Sequence, residues 1–337
     1  MSRRPRPDLA GRLLAVAIRL LPARRRSGGR AMRAELAALE PRAARWRFAL
    51  GCARAVLSRP ALRDLRYPLL MAGVLAGAAV GTSRIASGPL RWGLLGSATA
   101  LLAVAVLGRR QGLLGPVRPV RVARLVRALG YLLTGGLALG FALFMAGSGN
   151  QDEQARGGLP VLTVLFACYL LGYLTVTAQR SAATTRALAT GAGAGAAAAG
   201  VWVLAALTVG PIPTDIAPAL VVVGLGMFAA ALANGAERHR VGPAVPLAVL
   251  VAGMAGLLTI VVAVFALSTW GPPGLIPDLA PYALTPADDL AQSRNEVVDP
   301  YVAVLFLGSL VAVALSIVSA VTGRRPAPRA AIRPEAR

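Results

Sequence analysis

Apolar residues run in long blocks along this chain, and the charged residues cluster between the blocks. A helix needs about 20 predominantly apolar residues to cross roughly 30 Å of hydrocarbon. Eight segments meet that requirement: 67–85, 90–107, 128–147, 159–178, 187–209, 216–233, 243–267 and 301–321. None contains an acidic residue, and Arg84 stands at the edge of the first. The fifth is the weakest. Its first half, from Thr190 to Gly200, is almost all Gly and Ala, and a Gly/Ala loop is the rival assignment; its second half, from Val201 to Leu207, is strongly apolar.

Charge decides between those two assignments. The chain has 337 residues, 56% of them apolar, with 36 basic residues against 14 acidic ones for a net charge of +22. Every basic residue is Arg. With eight spans and the N-terminus inside, 32 arginines fall on the cytoplasmic side, and only Arg84, Arg91, Arg156 and Arg294 fall outside. The positive-inside bias of Arg and Lys in short loops predicts this sorting. Dropping the fifth span would carry the basic C-terminal tail outside, so the span is kept. Asp152, Glu153, Asp215, Asp278, Asp288, Asp289, Glu296 and Asp299 all fall outside. Trp92, Trp270 and Tyr301 mark outer ends and Tyr67 an inner end, as interfacial belts favour; Trp202 lies deeper, packed between helices.

The expected fold is therefore all-α: an integral membrane helical bundle of about eight transmembrane helices with a small cytoplasmic helical N-terminal region. The expected domains are a basic helical prefix (1–66), a membrane domain (67–321) with an outer loop at 268–300, and a basic tail (322–337). Both termini are expected in the cytoplasm of a cell with this protein in its inner membrane. The apolar content excludes a disordered chain, and two cysteines exclude a disulfide scaffold.

The first residues resemble a signal peptide only superficially. Arg19 cuts the apolar run, and Arg24-Arg25-Arg26 stands where a cleavage site belongs. An amphipathic helix starting after Asp8 fits better, with Leu9, Leu13, Val16, Ala17 and Leu20 at helical spacing. Ser27-Gly28-Gly29 breaks it. A second helix, 30–40, carries Met32, Leu36 and Leu39, and a third, 42–58, carries Trp46, Ala49, Leu50, Ala53, Val56 and Leu57. Such a short region is marginal as an independent core, so it is expected to lie on the inner membrane face, supported by lipid or by the bundle.

Three strings carry a resemblance: Leu20-Leu-Pro-Ala-Arg-Arg-Arg26, Gly29-Arg-Ala-Met-Arg-Ala-Glu-Leu36 and Arg45-Trp-Arg-Phe-Ala-Leu-Gly-Cys-Ala-Arg54. Together they resemble a short Arg-rich helical prefix found on bacterial polytopic membrane proteins. The segment from Leu284 to Tyr301 is similar to one that recurs in the same proteins. In that pattern a Trp often precedes the Gly-x-Ala-Met stretch; here Gly28 stands there. The resemblance implies membrane class and orientation, and it implies no catalytic residue.

Chemical motifs are sparse. The chain has no Lys, hence no phosphate-binding loop of the Gly-x-x-x-x-Gly-Lys type, and it has no nucleophile elbow and no His-Glu-x-x-His helix. His239 is the one histidine, and Cys52 and Cys168 are far apart in sequence, so no metal site and no cofactor are expected. No ionisable residue lies deep in a span, which argues against a pump with a buried coupling carboxylate. Gly73, Gly77 and Gly81 form small-xxx-small steps, and Gly136 and Gly140 another; packing within one bundle is the favoured use, homo-oligomer contact the rival. Arg24, Arg25, Arg26, Arg109 and Arg110 are candidate contacts for anionic lipid of the inner leaflet. Nucleic acid is disfavoured for want of any recognition signature. The outer loop is rich in Pro (Pro272, Pro273, Pro277, Pro281, Pro286) and then in acid; Asp288, Asp289, Glu296 and Asp299 are candidate ligand contacts, against a solvated cap with a short helix over 286–297. The expected function is a non-enzymatic membrane component, permease-like or accessory, working with a partner protein through its prefix. The alternative is a self-sufficient transporter of a small or amphiphilic solute.

Overall fold

The computed structural model describes residues 9–19, 26–57, 60–108, 115–147, 151–235, 243–280 and 285–323. The described structure is helical apart from one isolated antiparallel pairing, Val117 with Ala178. It divides into two compact units, one up to Gly77 and one from Ala78 onward.

The first unit contains α1 (Leu9–Arg19), α2 (Arg26–Ala38), α3 (Arg42–Leu57) and most of α4 (Pro60–Thr82). Helices α1, α2 and α3 close a small core of Ala10, Leu14, Ile18, Leu36 and Ala49, with Met32, Phe48 and Cys52 packed against it. The stripe that α1 buries is not the expected one. Leu9 and Val16 are 66% and 56% exposed, and Ala10, Leu14 and Ile18 face the core instead. Helix α1 is apolar on two faces, so one packs and the other stays outside. The same holds for α3, where Ala49 is buried while Trp46 and Leu50 remain on the surface.

The second unit begins with the last turn of α4 and continues through α5 (Gly88–Leu107), α6 (Arg121–Gly147), α7 (Gln151–Arg156), α8 (Gly158–Thr177), α9 (Thr185–Val209), α10 (Ala217–Gly235), α11 (Ala244–Trp270), α12 (Pro286–Glu296) and α13 (Asp299–Thr322). Seven of these, α5, α6, α8, α9, α10, α11 and α13, are long and apolar enough to cross a membrane. By length and hydropathy the chain is a multi-pass membrane protein. The seven coincide with seven of the eight expected segments to within a few residues, except that α6 starts seven residues early. In α4 the described apolar stretch is only Met71–Thr82.

Two helices organise the bundle. Helix α11 is apolar all round, as a helix enclosed on every side must be, and it packs against α6, α9, α10 and α13. Helix α8 packs against α5, α6 and α13. The Gly/Ala stretch of the fifth segment is a full helix, and small residues explain why it can be. A Cβ on Gly191 would lie 2.6 Å from the Ala248 carbonyl oxygen, and one on Gly195 would lie 2.5 Å from that of Ala252. The backbones of α9 and α11 thus approach closely, which is how helices associate where lipid offers no hydrophobic drive. Gly226 of α10 makes a similar approach to Ala194 and Ala198. Of the expected packing glycines, Gly140 abuts the Phe265 ring, whereas a Cβ at Gly73, Gly77, Gly81 or Gly136 would meet nothing within 4 Å.

Candidate functional site

The second unit gathers its polar chemistry at its two ends. At the first end, α5 and α8 terminate and α6 begins. Arg127, in the second turn of α6, is only 9% exposed. It lies on the stripe that buries Ala123, Val126, Gly130, Thr134, Leu137, Phe141 and Met145, spaced by three or four residues. Its Nε–H donates to Thr177 Oγ1 at 2.7 Å. One terminal nitrogen donates to the carbonyls of Gly108 and Gly115 at 3.3 and 3.4 Å. The other donates to Gly115 at 3.3 Å and to Leu174 at 2.9 Å. Gly108 caps the C-terminus of α5, and Leu174 lies in the last turn of α8. The guanidinium therefore sits where the negative ends of two helix dipoles meet and satisfies carbonyls that no later turn can.

Arg118 extends this knot. Its side chain donates to the carbonyls of Ser181 and Ala183. Its backbone N–H donates to Thr177 O, and Gln179 N–H returns to Pro116 O, both at 3.1 Å. Two connections, 115–120 and 178–184, are thereby laced together. Arg121, Arg124, Arg180 and Arg186 surround the knot in exposed positions, and Arg186 donates to the Ala233 carbonyl at 2.9 Å. Among the described residues this end contains no carboxylate.

The second end is acidic. Asp152, Glu153, Asp215, Asp278, Asp288, Asp289, Glu296 and Asp299 all lie there. Thr285 caps α12 by accepting the Asp288 N–H at 3.2 Å, with Pro286 at the first helical position. Asp288 in turn accepts the Thr285 hydroxyl at 2.6 Å, Asp289 that of Ser293 at 3.2 Å, and Glu296 the Gln292 amide at 2.7 Å. Asp299 opens α13. The four expected ligand carboxylates are thus strung along one helix and the start of the next, and among the described residues no three metal-binding side chains converge. Arg294 closes this end. It donates to the carbonyls of Ser268 and Thr269 at 2.7 Å and of Gly271 at 2.8 Å, capping the C-terminus of α11.

Two expectations change here. Tyr301 stands at the start of α13, but enclosed by protein: it is fully buried, meets Trp202 edge-on with ring centres 5.6 Å apart, and donates to the Pro213 carbonyl at 2.8 Å. Trp92 and Trp270, by contrast, are 67% and 78% exposed. The second change is Arg127, expected in a loop and found buried in a span. The apolar stripe of α6 continues across the charge boundary at positions 123 and 126, and following that period past the last arginine was the signal available. Of the candidate lipid contacts, Arg24, Arg25, Arg109 and Arg110 lie outside the described residues, and Arg26 is the first residue of α2. The remaining thiol environment is simple: burial, with the Glu35 carboxylate nearby, pushes Cys52 above its ordinary value.

Among the described residues, the buried side-chain polar groups of the bundle apart from Arg127 are hydroxyls and the Trp202 indole. Thr163 donates to Ser97 across α8 and α5 at 2.7 Å, and Tyr169 to the Leu305 carbonyl at 3.3 Å. Thr134 Oγ1, Trp202 Nε1 and Ser319 Oγ are buried without a partner. Compared with protein-family models, with curated proteins and with solved structures, the chain matches none.

Proposed function

We propose that this chain is a non-enzymatic component of a cell's inner membrane, permease-like or accessory, that works with a partner protein engaged by its N-terminal unit. The observation that carries this is the division of the chain: a compact basic helical unit precedes a bundle of membrane-crossing length. Residues 1–66 hold 17 arginines against four acids. Both termini are cytoplasmic, with α4 as an eighth span. This orientation is supported by the contrast between an end bearing Arg118, Arg121, Arg124, Arg127, Arg180 and Arg186 and an end bearing eight carboxylates. Inner-leaflet anionic lipid contacts Arg24, Arg25, Arg26, Arg109 and Arg110.

Deleting residues 1–60 is expected to abolish co-purification of the partner while sparing membrane insertion. A partner retained by the truncated protein contradicts the proposal. A second reading, self-sufficient transport, is favoured by Thr134 Oγ1, Trp202 Nε1 and Ser319 Oγ, buried in the bundle without a hydrogen-bond partner, a cost that a bound polar solute would relieve. Solute flux into liposomes containing this protein alone would favour that reading over the first.

A further inference from the structure

The N-terminal unit leaves two apolar faces outside its core, and both belong to helices without a single acidic residue. Helix α1 shows Leu9 and Val16 to the surface with Arg12 between them; α3 shows Trp46 and Leu50 with Arg47 between them. The two helices pack against each other through Ala10, Leu14, Ile18 and Ala49. The described acids of the unit, Glu35, Glu40 and Asp64, stand on α2, just after it and on α4, and Glu35 is exposed. An exposed Trp and aliphatic side chains interleaved with Arg match the interface between headgroups and acyl chains. Each Arg near an anionic surface adds attraction, and a carboxylate on the same face would oppose it. The unit is joined in sequence to membrane-crossing helices, so a bilayer is always within its reach.

From this we infer that the α1–α3 pair is a membrane-surface module. It seats Leu9, Val16, Trp46 and Leu50 among the lipids of an anionic leaflet, held by Arg12 and Arg47. The occupant of the exposed apolar faces is lipid, and α2 beyond its first turn is the side left for a protein. This goes beyond the proposed function, which gives lipid the arginines at the start of α2 and assigns the exposed apolar side chains of α1 and α3 to nothing.

The test uses the full-length protein with Cys52→Ser and Cys168→Ala, carrying one spin label at position 50 or, as the aqueous reference, at position 35. It is reconstituted into phosphatidylcholine vesicles with or without phosphatidylglycerol, and helical content is matched to the unlabelled protein. With phosphatidylglycerol present, the label at 50 is expected to be shielded from an aqueous nickel relaxant and reached by oxygen, while the label at 35 stays in water. Without it, the label at 50 returns to water. Arg12→Gln and Arg47→Gln are each expected to reduce the immersed-to-aqueous ratio about fivefold. Equal water access at 50 and 35 in anionic vesicles overturns the inference, and so does immersion that ignores phosphatidylglycerol or both Arg substitutions. Both leaflets carry the same lipid, so the outcome is independent of the orientation proposed above, whose failure would show in accessibility across the bilayer instead.

Discussion

Arg127 and Arg294 perform the same task at opposite ends of the bundle, in different surroundings. Each guanidinium collects carbonyls at the C-terminus of a transmembrane-length helix. Arg294 does so from α12, on the acidic end, with water available to replace it. Arg127 does so within the packed stripe of α6, where it binds the Gly108, Gly115 and Leu174 carbonyls and the Thr177 hydroxyl. A charged group in lipid surroundings is stabilised only when it is saturated with partners, and Arg127 meets that condition through carbonyls and a hydroxyl rather than through a carboxylate. The difference teaches that the arginine excess has two components. Arg121, Arg124, Arg180 and Arg186 on the basic end are exposed; Arg127, with Arg118 beside it, is structural and closes the ends of α5 and α8 against α6.

That distinction can be broken in order of expected effect. Arg127→Leu strands three carbonyls in a buried site and is expected to lower unfolding free energy by about 3–5 kcal/mol, read by denaturant titration in mild detergent. Arg127→Lys should recover only part of this, because an ammonium lacks the planar fork. Arg294→Leu should cost about 1–2 kcal/mol, since solvent and the helix dipole are the competing terms at a half-exposed site. A larger loss at Arg294 than at Arg127 would invert the comparison. Tyr301→Phe removes one hydrogen bond to Pro213 and should cost about 1 kcal/mol while leaving the Trp202 contact in place. Arg124→Gln, on the exposed surface of α6, should change stability by less than about 0.5 kcal/mol.

The sequence made the helices legible because hydrocarbon imposes a length that a linear pattern can meet. The expected 286–297 helix and the observed Pro286–Glu296 agree, with Thr285 and Pro286 providing its start. Seven apolar segments likewise became helices with nearly the expected edges. Contacts between helices were less legible. Gly191 and Gly195, in the least hydrophobic segment, make the closest backbone approach to α11, whereas Gly136 has the same small-residue spacing with Gly140 and faces open space. Spacing marks where a helix is able to approach another; the neighbour's position decides whether it does. Arg127 was hidden for a related reason: charge suggested a loop, and only the helical period carried through positions 123, 126 and 130 places it inside. The burial of Tyr301 is not legible because its position near a span edge says nothing about the Pro213 carbonyl and the Trp202 ring that enclose it.

The proposed orientation puts the arginine end of the bundle in the cytoplasm and the acidic end outside. Single cysteines at Gln179, exposed beside the Arg118 and Arg127 knot, and at Gln292, exposed on α12, test it most directly in the cysteine-free protein in intact cells. A membrane-impermeant maleimide is predicted to label position 292 from outside and to reach position 179 only after the membrane is opened. Labelling of 179 in intact cells, with 292 protected, would contradict the account.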